Sequence, residues 1–99
     1  MTGKEITVGE LKTLLERDGC FLVDVRDPEE LEEGKIPQSI LIPGEQLAAR
    51  LSGMRKDAPL VLYCRSGRRS RAAADALAEA GYTDVRNLSG GLEAWQREQ

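Results

Sequence analysis

The chain of 99 residues contains no histidine. The absence of an imidazole excludes the Cys–His and Ser–His pairs with which many enzymes activate a nucleophile, and it excludes metal sites that need a histidine ligand. Cysteine is also scarce, with Cys20 and Cys64 as the two instances. We predict that both are free thiols, since two cysteines do not make a disulfide framework. Any thiol chemistry in this chain must therefore be activated without histidine.

Long apolar runs and an excess of basic residues are absent too. No run approaches the roughly 18 apolar residues that a membrane span needs, so no membrane partner is expected. The first five residues lack the apolar core of a signal peptide, and the expected location is the cytoplasm. The net charge of −3 argues against nucleic acid as a partner, because nucleic-acid binding needs a basic footprint. Nothing in the sequence requires a metal or an organic cofactor.

The composition that remains is typical of a soluble globular domain, with 40% hydrophobic and 31% charged residues. We expect a single domain over residues 1–99. We also expect a monomer, because no large apolar patch is evident in the sequence.

The most informative stretch of the chain runs from Leu60 to Ala74. Its four apolar residues Leu60–Tyr63 lead straight into Cys64, and such a run predicts a strand buried on both faces. A loop of Gly, Ser and Arg follows, and Arg71–Ala80 has the alanine content and apolar spacing of a helix. Ligands bind at this edge of open α/β sheets, and a helix N-terminus favours a thiolate. Cys64 is therefore the predicted reactive group.

The rest of the chain alternates between predicted strands and helices. The predicted strands are Glu5–Val8, Phe21–Val25, Ile40–Ile42, Leu60–Tyr63 and Val85–Leu88. Five helices are predicted. The first begins at the capping box Thr7–Glu10, the second at Asp27–Pro28 and the last at Ser89–Gly91. The other two cover Glu45–Leu51 and Arg71–Ala80. This alternation predicts an α/β fold, an open parallel sheet of about five strands with helices on both faces. Periodicity leaves the order of the strands open.

Four motifs stand in the order of a known family. They are the strand end Leu22–Arg26, the connector Gly34–Ser39, the loop Tyr63–Ser70 and the C-terminal segment Leu88–Trp95. Together they resemble single-domain rhodaneses, the thiosulfate sulfurtransferase family, over roughly residues 6–96. Lys35 and Gln38 depart from the pattern, since the family usually has His and Gly there. That connector is not where the sulfur chemistry takes place, so the departures bear on the local backbone.

The resemblance implies a two-step sulfur transfer by Cys64, and no cofactor. A small-molecule donor, thiosulfate or a persulfide, would give its outer sulfur to the cysteine and leave a persulfide. A thiol or cyanide would then accept that sulfur, and a protein of a sulfur relay is a possible partner. The persulfide needs a stabilised anion on sulfur, which backbone N–H groups and a helix N-terminus supply.

The loop residues are the predicted binding site for the substrate: Arg65, Ser66, Gly67, Arg68, Arg69 and Ser70. Arg65 and Arg69 are expected to grip substrate oxygens with their planar forks, while Arg68 is expected to be more exposed. The alternative is that some of these arginines pair with the acidic run Glu29–Glu33. Gly67 suits a tightly curled loop, and the small Ser66 leaves the backbone accessible. Ser70 is expected to cap the following helix.

Two further residues are predicted to support the site from a neighbouring strand. Asp24 and Arg26 end that strand on the same side of the sheet and are expected to form a buried or half-buried ion pair. Direct contact between Arg26 and the substrate is the alternative. Cys20 precedes the same strand at the opposite end and is expected to belong to the core.

Two other functions are weighed against sulfur transfer. Phosphatases and arsenate reductases of the related fold carry the pattern Cys-x5-Arg, in which an arginine is the sixth residue after the cysteine. Here the sixth residue after Cys64 is Ser70. The arginines fall at the fifth and seventh positions, Arg69 and Arg71, so the loop is too tight for phosphate. A non-catalytic rhodanese module, used for binding or regulation, usually lacks the cysteine, and the presence of Cys64 counts against it.

Overall fold

Five parallel strands make up the sheet in a computed structural model that describes residues 3–99. They are β1 (Lys4–Ile6), β2 (Phe21–Asp24), β3 (Ile40–Leu41), β4 (Leu60–Tyr63) and β5 (Val85–Leu88). Across the sheet they lie in the order β1-β5-β4-β2-β3, and every pairing is parallel. The predicted α/β sheet is confirmed.

Helices cover both faces of this sheet. They are α1 (Val8–Glu16), α2 (Leu47–Arg50), α3 (Arg68–Glu79) and α4 (Gly91–Arg97). One face packs against α2 and α3, and the other packs against α1 and α4. Two 3₁₀ segments, Pro28–Glu33 and Gly44–Gln46, lie between strands.

The central strand β4 shows why its sequence is apolar throughout. Leu60, Leu62 and the following Cys64 pack into the core on the α3 face. Val61 and Tyr63 point to the opposite face and join the core beneath α1 and α4. Because successive side chains of a strand alternate between faces, a strand covered on both sides is buried at every position.

The N-terminal strand is shorter than predicted. The prediction extended it to Val8, but β1 ends at Ile6 because Thr7 is the N-cap of α1. The predicted capping box is confirmed: Glu10 N donates to Thr7 Oγ1 at 3.1 Å, and Thr7 N donates to Glu10 Oε1 at 2.9 Å. The cap fixes extended backbone at Thr7 and helical backbone from the next residue onward.

Two short helical segments differ in type from the prediction. The helix predicted for Glu45–Leu51 is divided into a 3₁₀ turn, Gly44–Gln46, and the four-residue α2, Leu47–Arg50. The helix after Asp27 starts at Pro28 as predicted and has 3₁₀ form. Both are connectors of the length at which 3₁₀ geometry is common.

The prediction that Ser70 caps α3 is wrong. The helix begins at Arg68, and its N-cap is Gly67, with φ of 95° in the left-handed region. Glycine adopts this conformation without the steric cost that a Cβ brings. Ser70 lies within the first turn instead, where a backbone N–H has no partner inside the helix. The backbone N–H of Ser70 is therefore free to donate a hydrogen bond to a group outside the helix.

The connector before β3 explains one departure from the rhodanese pattern. Gln38 has φ of 73°, which lies in the left-handed region. The family that the chain resembles usually has glycine at this position. The side chain there costs about 1 kcal/mol or more of backbone strain. The neighbouring Lys35 donates from Nζ to Ser39 O at 3.4 Å at the exposed side of the same turn.

Among the helices of residues 3–99, none has the length and apolar character needed to cross a lipid bilayer.

Candidate active site

The carboxyl ends of the strands meet at one edge of the sheet and place the candidate residues there. In register, Tyr63 of β4 is opposite Asp24 of β2. On the other side, Asn87 of β5 lies between Leu62 of β4 and Glu5 of β1. The loop after β4 therefore leaves the sheet between β2 and β5. This is the edge at which open α/β sheets bind ligands.

The Sγ atom of Cys64 accepts hydrogen bonds from several donors of the loop and of α3. Gly67 N lies at 3.2 Å, Ser70 N at 3.4 Å and Ser70 Oγ at 3.3 Å. Burial raises the pKa of the Cys64 thiol, but the hydrogen bonds from Ser70, Gly67 and Ser66 outweigh it and leave the pKa below that of an ordinary cysteine thiol. Donors that converge on one sulfur stabilise the thiolate, so Cys64 can act as a nucleophile without a histidine base.

The start of α4 holds the backbone of this loop. Leu92 N donates to Cys64 O at 2.9 Å, and Glu93 N donates to Arg65 O at 3.0 Å. A Cβ atom on Gly91 would lie 2.5 Å from Cys64 O, a distance that a side chain cannot occupy. Gly91, the first residue of α4, is therefore needed for the helix to approach the cysteine loop. The C-terminal motif and the loop are two parts of one site.

Two of the predicted substrate-binding arginines are already paired. Arg69 forms two hydrogen bonds of 2.8 Å with Glu30, and these lower the pKa of that carboxyl to about 2. Arg65 lies 3.9 Å from Glu33 and 3.5 Å from Glu93. The structure thus contains the pairing with the acidic run that the sequence left as the alternative. To grip a substrate anion, each arginine would have to exchange a carboxylate partner.

Arg68 is the arginine that remains available beside the loop. It is exposed at the first position of α3, and within residues 3–99 it has no ion-pair partner. Two cavities, of about 430 and 490 Å³, have both Ser66 and Arg68 in their walls. An anion that approached the loop through either cavity would meet the guanidinium of Arg68.

The family model of the rhodanese-like domain matches residues 7–98. The chain belongs to this family. The resemblance seen in the four motifs is confirmed.

Relatives of this rhodanese domain carry sulfurtransferase names. It is 42% identical to a sulfurtransferase of Allochromatium vinosum over 84 residues, which cover 85% of this chain and 78% of that protein. It is 31% identical to thiosulfate sulfurtransferase GlpE of Pseudoalteromonas translucida, over 97% of this chain and 91% of the relative. The solved structure of the human single-domain sulfurtransferase TSTD1 aligns with a TM-score of 0.87 at 28% identity and covers 98% of both chains.

The predicted ion pair at the end of β2 is present in the rhodanese domain and is fully buried. Arg26 Nη2 lies 2.8 Å from Asp24 Oδ2, and both residues have 0% exposure. Arg26 also donates to Glu30 O at 3.0 Å and to Gly34 O at 2.8 Å. Asp24 accepts from Tyr63 Oη at 2.9 Å. The pair joins β2 and β4 to the acidic segment, and the guanidinium is directed at backbone rather than at a cavity.

Sequence reasoning missed two residues of the site, Asn87 and Glu5. Asn87 Nδ2 donates to Gly67 O at 3.1 Å and to Glu5 Oε2 at 3.1 Å. Glu5 also pairs with Arg71 at 3.0 Å and accepts from Ser89 Oγ at 2.8 Å. The signal that could have found Asn87 is its amide within the otherwise largely buried strand β5, where an unpaired polar group would be costly.

The second cysteine lies far from this site in the fold. Cys20 precedes β2, at the opposite edge of the sheet, and is half-buried rather than fully in the core. It lines a cleft of about 280 Å³ with Phe21 and Ile40. Burial raises the pKa of its thiol, the reverse of the net effect at Cys64. The thiolate is therefore favoured at Cys64 and disfavoured at Cys20.

Proposed function

We propose that this rhodanese domain is a sulfurtransferase in which Cys64 carries the transferred sulfur as a persulfide. The observation that carries the proposal is the convergence of the Gly67 and Ser70 donors on Cys64 Sγ. The sulfurtransferase names of its relatives support the same class of reaction. Cys64 directly follows the buried strand β4, so the rigid sheet holds the sulfur while the loop supplies the donors.

The first step takes sulfur from the donor, for which thiosulfate serves as the assayable example. The Cys64 thiolate attacks the outer sulfur of thiosulfate and forms a new S–S bond. The bond between the two thiosulfate sulfurs breaks, and its electron pair leaves with sulfite. The negative charge then lies on the terminal persulfide sulfur, within reach of the N–H groups at the N-terminus of α3.

The second step returns the enzyme to its starting state. Cyanide or the thiolate of an acceptor attacks the terminal sulfur, and the persulfide S–S bond breaks. Its electron pair returns to Cys64 Sγ, and thiocyanate or the acceptor persulfide leaves. Neither step needs a general base, which is consistent with a chain that has no histidine.

The two alternative functions receive less support from the contacts. A phosphatase of the related fold needs an arginine at the sixth position after the cysteine to clamp the phosphate oxygens. That position is Ser70, and the flanking Arg69 and Arg71 are bound to Glu30 and Glu5. A binding module needs no thiol surrounded by converging donors, whereas Gly67 N, Ser70 N and Ser70 Oγ all lie within hydrogen-bond distance of Cys64 Sγ.

Mass spectrometry of the intact protein tests the proposal directly. After treatment with thiosulfate and removal of the excess, we expect the mass to increase by one sulfur atom, and peptide mapping to place it on Cys64. Cyanide should remove it and release thiocyanate. Cys20→Ser is the matched control, because it removes the other thiol and should load equally well. Sulfur on Cys20, or no added sulfur, would contradict the proposal.

Arg68 is proposed as the cation that first binds the anionic donor. Arg68→Ala should raise the KM for thiosulfate about 3- to 10-fold, which is typical for the loss of one charged contact. Arg69→Ala should have the smaller effect on KM, because its guanidinium is committed to Glu30. The measurement is steady-state thiosulfate:cyanide transfer, with Arg55→Ala as a control remote from the loop. An unchanged KM in Arg68→Ala would remove this residue from the site.

A further inference from the structure

The hydroxyl of Ser70 lies between two acceptors. Its Oγ is 3.3 Å from Cys64 Sγ and 2.5 Å from Asn87 Oδ1. The exposure of Ser70 is 0%, that of Cys64 1% and that of Asn87 2%. Water is therefore kept from the group, and the hydroxyl has one proton for two acceptors.

The orientation of the Asn87 amide follows from its other contacts. Its Nδ2 faces Gly67 O at 3.1 Å and Glu5 Oε2 at 3.1 Å, and both of these are acceptors. Exchanging the amide nitrogen and oxygen would set Oδ1 against a carbonyl and a carboxylate, leaving three acceptors together without a proton. Oδ1 must therefore face Ser70, and since it can only accept, the hydrogen bond between them uses the Ser70 proton.

We propose that Ser70 is a catalytic hydrogen-bond donor whose proton alternates between Asn87 Oδ1 and Cys64 Sγ, according to the charge on the sulfur. The inference rests on the proposed sulfur transfer for its role in turnover. When Sγ is a thiolate, it is the stronger acceptor, because hydrogen bonds to ionised groups are roughly twice as strong as neutral ones. When Sγ is the neutral inner sulfur of a persulfide, Asn87 Oδ1 is the better acceptor. Asn87 is a positioning residue in this scheme.

The switch assists the second step of the reaction. As the acceptor attacks the terminal sulfur, the S–S bond breaks and the electron pair moves to Cys64 Sγ. The Ser70 O–H rotates from Asn87 Oδ1 to Sγ and stabilises the thiolate that forms. The proton stays on Ser70 throughout, so the sulfur gains a hydrogen bond and no proton is transferred. Stabilisation that appears as charge develops lowers the barrier.

Charged groups surround this arrangement on each side. Glu5 of β1 lies behind Asn87 and is paired with Arg71 of α3. Arg69 of α3 interacts with the charge of Cys64, and Arg65 follows Cys64 in the loop. The Ser70 hydroxyl contacts neither Glu5 nor these arginines, so a change in Cys64 titration in Ser70→Ala can be assigned to the hydroxyl. Asn87→Leu, in contrast, also removes a partner of Glu5.

The test is a titration of the Cys64 thiol in a Cys20→Ser background, by the pH dependence of alkylation with iodoacetamide. Ser70→Ala should raise the pKa of Cys64 by about one unit, which is a roughly tenfold smaller thiolate fraction at neutral pH. Ser70→Thr keeps a hydroxyl and should stay near the parent. An unchanged pKa in Ser70→Ala overturns the proposal by itself.

A double-mutant cycle separates the switch from a structural role of Asn87. Asn87→Leu removes the competing acceptor and also the donor to Gly67 O. Asn87→Leu changes the Cys64 pKa in both backgrounds. The pKa that results when Ser70 is intact should therefore be lower than the change measured in the Ser70→Ala background predicts. Equal shifts in both backgrounds would overturn the proposal, because Asn87 would then act only by holding the loop. Alkylation needs no sulfur transfer, so failure here is distinct from failure to load sulfur from thiosulfate.

Discussion

Cys64→Ser is expected to lose sulfur transfer, with turnover reduced at least about a thousandfold. A serine hydroxyl in the same place stays protonated near neutral pH, and the chain has no histidine to activate it. The loop donors that stabilise a thiolate cannot make an alkoxide accessible. The measurement is the rate of thiosulfate:cyanide transfer, which is monitored through the formation of thiocyanate.

Two observations make this expectation specific to Cys64. Cys20→Ser should keep full turnover, because Cys20 lies at the opposite edge of the sheet. In the wild type, the rate of the first step should fall about tenfold for each pH unit below the Cys64 pKa, since the thiolate is the reacting form. The hydrogen bonds lower that pKa, so the fall should begin at a lower pH than for an ordinary cysteine thiol. Residual transfer in Cys64→Ser comparable with the wild type would contradict the assignment.

Arg26→Ala is expected to destabilise the fold by about 3–5 kcal/mol, the usual cost of removing one partner of a buried ion pair. The carboxylate of Asp24 would remain at 0% exposure without its guanidinium partner. The carbonyls of Glu30 and Gly34 would lose their donors at the same time. The free energy of unfolding is to be measured by urea denaturation.

The chain offers a matched control for this substitution. Arg55 and Asp57 form a salt bridge of nearly the same length, 2.9 Å, but their side chains are 84% and 60% exposed. Arg55→Ala should change the free energy of unfolding by less than about 1 kcal/mol, because solvent already screens the pair. If both substitutions cost the same, burial would not be what makes the Asp24–Arg26 pair important.

Local patterns in the sequence account for the elements that were predicted well. The run Leu60–Tyr63 is apolar because it is covered on both faces, and this leaves a pattern that can be read without the fold. The capping box of Thr7 and Glu10 joins residues three positions apart. Cys64 was predicted as the reactive group because a strand, a glycine-containing loop and a helix follow each other directly in the chain. Each of these signals is contained within a few residues.

The roles of the loop side chains depended on contacts between distant segments. Arg69 pairs with Glu30, which is 39 residues away in sequence. The sequence alone could not show which residue of the acidic run Glu29–Glu33 is the partner. Serine is a residue type that often caps helices, but the N-cap of α3 is Gly67, whose backbone is left-handed. The Ser70 hydroxyl instead reaches Asn87, 17 residues further on.

The sequence by itself determined the α/β class and the family and predicted Cys64 as the reactive residue, because burial periodicity, caps and motifs are local properties of a chain. Tertiary structure alone decided the strand order, and with it the neighbours of the cysteine loop. By placing β5 between β4 and β1, the fold brings Asn87 next to Gly67 and Glu5 next to Asn87, although Glu5 and Asn87 are 82 residues apart. Partners that are brought together by sheet topology leave no local pattern, since many residues of the same type could fill each place.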